Sequence, residues 1–171
     1  MCSDCKNLKT IYVEDGCQAS LLRAWISDSV KIGPPPETML GNAKFWDLRN
    51  CRQVVIPSGV EKIGNYWFEG ADIEKITIPA SVREIGADAF HGCEKLREII
   101  FEGGSKLKII SQNCFICAGI KKIIIPKGVT EIQDSALCRC KNLKKVTFEE
   151  GSELKVIGEW AFGDCISIRS I

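Results

Sequence analysis

Ten cysteines and one histidine carry most of the reactive chemistry this sequence could offer. Cys2-x-x-Cys5, Cys114-x-x-Cys117 and Cys138-x-Cys140 have spacings used by zinc sites and dithiol redox pairs. Zinc, however, wants ligands converging from loops, and His91 lies two residues before Cys93 with no second histidine to complete a common set. Other chemistry lacks its motifs. There is no nucleophile elbow, no phosphate-binding Gly-x-x-x-x-Gly-Lys, no His-Glu-x-x-His and no dinucleotide fingerprint. Catalysis needs a nucleophile or an acid/base pair with an orienting partner in a cleft, so the expectation is a non-enzyme that needs neither metal nor cofactor.

The cysteines find a second explanation in the elements that carry them. Seven phrases share one template, in which an apolar residue, two polar residues, an apolar residue, a variable residue and an apolar residue follow in order. They are Leu8 to Val13, Cys51 to Ile56, Ile73 to Ile78, Leu96 to Phe101, Ile120 to Ile125, Leu143 to Phe148 and the shortened Ile168 to Ile171. From Cys51 onward their starts are 22, 23, 24, 23 and 25 residues apart, a period in the twenties that marks a stacked solenoid.

Within the unit from Ile73 to Cys93, Ile76 and Ile78 alternate with Lys75 and Thr77, as in a strand with one buried face. Pro79 cannot donate to a ladder and ends that strand. Val82 and Ile85 supply a second inward segment, and Gly86 a turn before Ala89 and Phe90 return to the core. The unit from Ile120 repeats the scheme with Ile123, Ile125, Pro126, Val129, Ile132, Ala136 and Leu137. The units from Leu96 and Leu143 replace the proline corner with longer turns, Glu102 to Leu107 and Glu149 to Leu154. No unit can bury its few apolar side chains alone, so stability must come from stacking.

Against this frame Cys5, Cys93, Cys117, Cys140 and Cys165 each fall three residues before a strand phrase, and Cys114 falls where other units have Ala89, Ala136 or Ala161. They read as small buried residues. Cys93, Cys117, Cys140 and Cys165 are expected to form a column through four consecutive coils, with free thiols favoured over disulfides. His91 occupies a position held by Glu69, Cys138 and Gly163 elsewhere, which reads as a variable surface site.

The pattern Ile-Pro-x-x-Val-x-x-Ile-Gly-x-x-Ala-Phe-x-x-Cys, seen from Ile78 to Cys93, resembles the BspA-like class of leucine-rich repeats. The resemblance implies a right-handed repeat solenoid, mainly β with short turns or helical pieces and a sheet along one side. It also implies adhesion or protein binding, and a place at the cell surface of a bacterium or protist.

The chain divides into residues 1–13, a truncated first strand unit; 14–50, a degenerate repeat with a surface insertion around residues 33–47 that carries Pro34-Pro35-Pro36 and that Phe45, Trp46 and Leu48 dock back onto the stack; and 51–171, about five regular repeats and the start of another. All belong to one solenoid. Both ends look open, so a piece of a longer protein is expected. Lys plus Arg number 23 against 22 Asp plus Glu, which gives no electrostatic reason to expect nucleic acid. No run approaches a membrane span, and the start lacks a secretory signal.

A partner would meet the outward residues of the strand phrases. One column reads Tyr12, Val55, Thr77, Ile100, Ile124, Thr147; beside it run Thr10, Gln53, Lys75, Glu98, Lys122, Lys145. The next position holds Lys9, Arg52, Glu74, Arg97, Lys121, Lys144 and Arg169, six of the seven basic. The candidate binding residues are therefore Lys75, Thr77, Arg97, Ile100, Lys121, Lys122, Ile124, Lys144, Lys145 and Thr147. A β-branched ridge beside a basic stripe suits an acidic protein segment or an anionic glycan. The competing explanation is that β-branched residues favour strands and lysines solvate a sheet, with Glu74 and Glu98 interrupting the stripe and Glu84 and Glu131 neutralising it. That explanation leaves a structural spacer or targeting arm of a larger protein.

Overall fold

Each repeat makes two short strands because its apolar residues come in two alternating pairs separated by a corner. A computed structural model describes residues 12–13, 53–56 and 58–171. The strands are β1 (Tyr12–Val13), β2 (Gln53–Val55), β3 (Lys62–Ile63), β4 (Lys75–Ile78), β5 (Glu84–Ile85), β6 (Glu98–Phe101), β7 (Ile109–Ile110), β8 (Lys122–Ile125), β9 (Glu131–Ile132), β10 (Lys145–Phe148) and β11 (Val156–Ile157). They stack into two sheets, ordered β1-β2-β4-β6-β8-β10 and β11-β9-β7-β5-β3. Beyond β1 every pairing is parallel. The result is a parallel β-solenoid of about four turns with no helix among the described residues. The short inward segment thus joins a second sheet at Ile85, while Val82 enters the core just before that strand.

β1 differs from the rest. Tyr12 pairs with Val55 and Val13 with Val54 in antiparallel sense, so β1 does not continue the parallel stack although Tyr12 meets Val55 as in the column. The insertion at residues 33–47 and its docking residues Phe45, Trp46 and Leu48 lie outside the described residues.

The third side of each coil is a run of turns. Here the backbone bonds onward to the next coil: Phe68 N–H donates to Ala89 O at 2.8 Å, Phe90 to Cys114 O at 2.8 Å, Phe115 to Ala136 O at 2.7 Å and Leu137 to Ala161 O at 2.8 Å. This ladder satisfies amides that a helix or sheet would otherwise serve. The run requires left-handed backbone twice per coil. Tyr66, Asp88, Asn113, Ser135 and Trp160 take the first such position, and Gly70, Gly92, Cys117, Arg139 and Asp164 the second.

All three sides face one continuous core. Ile63, Ile85, Ile110 and Ile132 of the second sheet are wholly buried, as are Ile73, Leu96, Ile120 and Leu143 at the starts of the strand phrases. Phe68, Phe90 and Phe115 stack on the turn side, with ring centroids 5.0 and 5.2 Å apart and planes within 8° and 11°. On the outermost coil the equivalent Ile157 is 52% exposed.

The corners differ in how they are closed. In the longer units Glu102 and Glu149 follow the strand, and each carboxylate accepts a backbone N–H of the preceding coil, from Ala80 at 3.0 Å and Lys127 at 2.8 Å. Those donors sit just after Pro79 and Pro126. A proline corner and a glutamate corner therefore form a matched pair.

Candidate functional site

The first sheet places the sequence-derived candidates on one face. Register aligns Gln53, Lys75, Glu98, Lys122 and Lys145 in one row, and Lys145 bridges on to Ser170. The second row aligns Val55, Thr77 and Ile100, then Ile124 and Thr147. Lys121, Lys144 and Arg97 each stand one residue before a strand. All of the lysines are exposed, Ile124 is 52% exposed, and Thr77, Ile100 and Thr147 are half-buried.

The stripe is not uniform. Lys75 Nζ lies 3.0 Å from Glu98 Oε2, so its charge is met within the sheet. Arg97 turns back on the chain, and its Nη1 donates to the carbonyls of Glu94 at 2.9 Å and Gly119 at 3.0 Å. Arg97 is thus a clasp between coils rather than a free basic group, which removes it from the contact set expected from the sequence. Glu84 does not serve the stripe either; it pairs with Lys62 at 2.9 Å on the second sheet, where Glu131 also lies. What remains is a compact group, Lys121, Lys122, Lys144 and Lys145, beside Ile124 and Thr147. No ion pair or side-chain hydrogen bond engages any of these lysines among the described residues.

The cysteines are placed differently from the expected column. Cys93, Cys140 and Cys165 lie three residues after Phe90, Leu137 and Phe162 and point into the core; in the two shorter turns that place is taken by Ala71 and Ala118. Cys117 sits one residue earlier, at the left-handed position of its turn with φ 57°, and is only half-buried. Counting from the phenylalanine instead of from the strand phrase would have found the shift. Burial pushes the Cys93 thiol up to about 12 and drives Cys114 well above the ordinary thiol value, with the nearby Cys93 and Asp88 adding to it. Cys138 is raised too, chiefly by burial. Cys140 is raised by a hydrogen bond shared with Cys165 and by burial. These are poor nucleophiles and poor metal ligands. Among the described residues no cluster of three or more His, Cys, Asp or Glu could hold a metal ion.

One polar pair had no signal in the repeat. His91 Nδ1 lies 3.2 Å from Asp88 Oδ1, a contact within one turn. Asp88 is buried and takes left-handed backbone with φ 56°, which asparagine and aspartate tolerate better than most residues. The pair closes the turn.

The repeats match the model of the BspA type leucine rich repeat region in six copies over residues 38–169. The chain belongs to the BspA-type leucine-rich repeat family. The family match begins within the irregular stretch of residues 14–50. Among solved structures the chain is similar to a leucine rich cell surface protein from Faecalibacterium prausnitzii, with 28% identity and a TM-score of 0.65 over 75% of this chain and 33% of that one. It is similar to the pneumococcal vaccine antigen PcpA, with 28% identity and a TM-score of 0.57 over 68% and 35%. A Treponema pallidum leucine rich repeat protein shares 29% identity and a TM-score of 0.58 over 68% and 56%. The chain therefore spans between about a third and about half of the length of these proteins. No match was found among curated proteins. No helix among the described residues is long and apolar enough to cross a membrane.

Proposed function

We propose that this BspA-type repeat protein is a non-catalytic recognition module that binds another protein through the outer face of its first sheet. The observation that carries this reading is the exposed group on β8 and β10, where Ile124 stands beside lysines with no internal partner. The similarity to a pneumococcal vaccine antigen and to a leucine rich cell surface protein supports this reading. Other surface charges form pairs across coils, as in Lys62 with Glu84 at 2.9 Å and Lys95 with Asp72 at 2.7 Å.

The test is a photo-crosslinking amino acid placed at Ile124 in one variant and at Lys155, which precedes β11 on the second sheet, in another. Under illumination with candidate surface proteins, position 124 should give protein adducts that unlabelled protein competes away, and position 155 should not. Equal labelling at both positions, or none at 124, overturns the assignment of this face.

A further inference from the structure

We infer that Lys121, Lys122, Lys144 and Lys145, with the ridge of Ile124 and Thr147, hold an extended acidic peptide in which a carboxylate and an apolar side chain stand two residues apart. This rests on the reading of the first sheet's outer face as a recognition surface and adds the chemistry of the partner.

Lysines stand directly against lysines on β8 and β10, whereas other neighbouring coils set a cation against an anion. Six cations of the described residues meet an anion one or two coils away: Lys62 with Glu84, Lys75 with Glu98, Arg83 with Glu61, Lys95 with Asp72, Lys108 with Glu153 and Arg139 with Asp164. On β8 and β10 the register instead sets Lys122 directly against Lys145. One residue earlier the Lys144 N–H donates to the Lys121 carbonyl at 2.8 Å, which holds that second pair of lysines side by side. Glu98 neighbours Lys122 in the ladder, yet its carboxylate lies on Lys75. Like charges directly opposite in a sheet destabilise it, so four unneutralised lysines at adjacent coils form a site awaiting negative charge.

The second argument is spacing. Lys122 and Ile124 are two residues apart on one strand and face the same way, as are Lys145 and Thr147, so each pair is separated by about 6.6 Å along the strand. An extended peptide running beside the strands repeats that same interval. One of its carboxylates then lies between ammonium groups that project from coils about 4.8 Å apart, while its apolar side chain two positions on covers Ile124.

The third argument separates peptide from glycan. A sulfated polysaccharide supplies anions at comparable density but has no apolar side chain to set on Ile124, the large apolar residue of this sheet exposed by half among the described residues. Covering that side chain is favourable only for a partner with apolar surface.

The experiment uses the full chain and a short fluorescent peptide with two Glu-x-Leu units, read by anisotropy. Heparin oligosaccharide serves as the sulfated comparison. The Glu-x-Leu peptide should bind, and Gln in place of its Glu should weaken it by about tenfold or more, as should Ser in place of its Leu. Lys145→Glu and Ile124→Ser should each do the same from the protein side, while Lys106→Glu, at an exposed corner, should leave binding unchanged. Circular dichroism and a melting curve establish that each variant is folded. Binding of heparin that is indifferent to Ile124→Ser, together with weak peptide binding, overturns the peptide assignment in favour of a glycan. Should adducts at position 124 persist while Glu-to-Gln peptides bind equally well, the acidic class falls and the recognition face stands. Absence of both sinks the two together.

Discussion

The thiol of Cys140 donates to the carbonyl oxygen of Phe115, 3.0 Å away on the preceding coil. Cys93 does the same to Phe68 at 2.9 Å and Cys165 to Leu137 at 3.0 Å. These bonds occupy carbonyls on the turn side of the core, while burial raises the Cys93 thiol and the hydrogen bond between Cys140 and Cys165 raises the first and lowers the second.

A pH dependence follows for the buried thiols. The folded-state value of Cys93 is about 12 against 9.0 for an ordinary thiol, so the folded state holds its proton more tightly than the unfolded state does. The stability this contributes is complete below pH 9 and is lost as the pH rises through the window from about 9 to about 12. Chemical unfolding followed across that window should show a falling midpoint, and Cys93→Ala should flatten the fall. At neutral pH, Cys93, Cys114 and Cys140 should resist maleimide in the native protein and react once denaturant is added. Rapid native labelling of Cys93 would contradict the burial described.

Much of this was legible in the sequence because the repeat fixes inward and outward positions by period two. The rows Lys75-Glu98-Lys122-Lys145 and Thr77-Ile100, and the core places of Ile76 and Ile78, follow from alternation, while those of Val82, Ile85, Ala89 and Phe90 follow from recurrence at the same place in successive units. What alternation cannot register is turn length. Five residues separate Phe115 from Ile120 and six separate Leu137 from Leu143, so aligning on strand starts moved Cys117 into a column that Ala118 occupies. Side-chain conformation was equally out of reach. Arg97 and Lys121 are equivalent in the template, yet Arg97 finds the Glu94 and Gly119 carbonyls within range and folds onto them. Nor does a strand phrase carry its direction, and at β1 Tyr12 meets Val55 as in the column while the strand runs the other way.

The aromatic stack should dominate core energetics. Phe90 is fully buried between Phe68 and Phe115, with ring centroids 5.0 and 5.2 Å away. Phe90→Ala should cost about 3 to 5 kcal/mol. Phe90→Leu should cost much less, because Leu137 already fills the equivalent place one coil beyond Phe115. Denaturant titration of the two variants checks the order, and equal losses would mean that filling the volume does not suffice and that the aromatic ring itself is required.

Glycines in the coils separate steric from conformational roles. A Cβ on Gly86 would collide with the side chain of Asn65 and stand 2.6 Å from its backbone nitrogen. The Asn65 carboxamide is already engaged, accepting the Ala87 N–H at 2.9 Å. At Gly92 the nearest atoms are 3.9 Å away, and only its left-handed φ of 69° resists substitution. Gly92→Ala should therefore cost about 1 kcal/mol, whereas Gly86→Ala must displace backbone and should cost more. Gly103, with nothing within 4 Å of the added carbon and no left-handed φ, should accept alanine with little change. Melting temperatures in the order Gly103→Ala, Gly92→Ala, Gly86→Ala from highest to lowest express this, and any inversion of the last two contradicts the close packing of Gly86 on Asn65.

The lysines on β8 and β10 invite a test in which stability and binding move in opposite directions. Lys122 and Lys145 are register partners, and replacing one by glutamate converts a like pair into an opposite pair at the same spacing. The change should stabilise the fold by about 0.2 to 1 kcal/mol, with the lower end applying to groups this exposed. The gain should shrink as salt is added, since the screening length falls to about 8 Å at physiological ionic strength. If the lysines were there only to solvate the sheet, Lys145→Glu would serve as well and leave binding intact. If they receive a partner's carboxylates, the more stable protein should be the one that no longer binds. Stability by denaturant titration at low and high salt, set beside anisotropy with the Glu-x-Leu peptide on the same preparation, distinguishes the two. A variant that is both less stable and still able to bind would show that these charges are compensated by some other arrangement of the sheet.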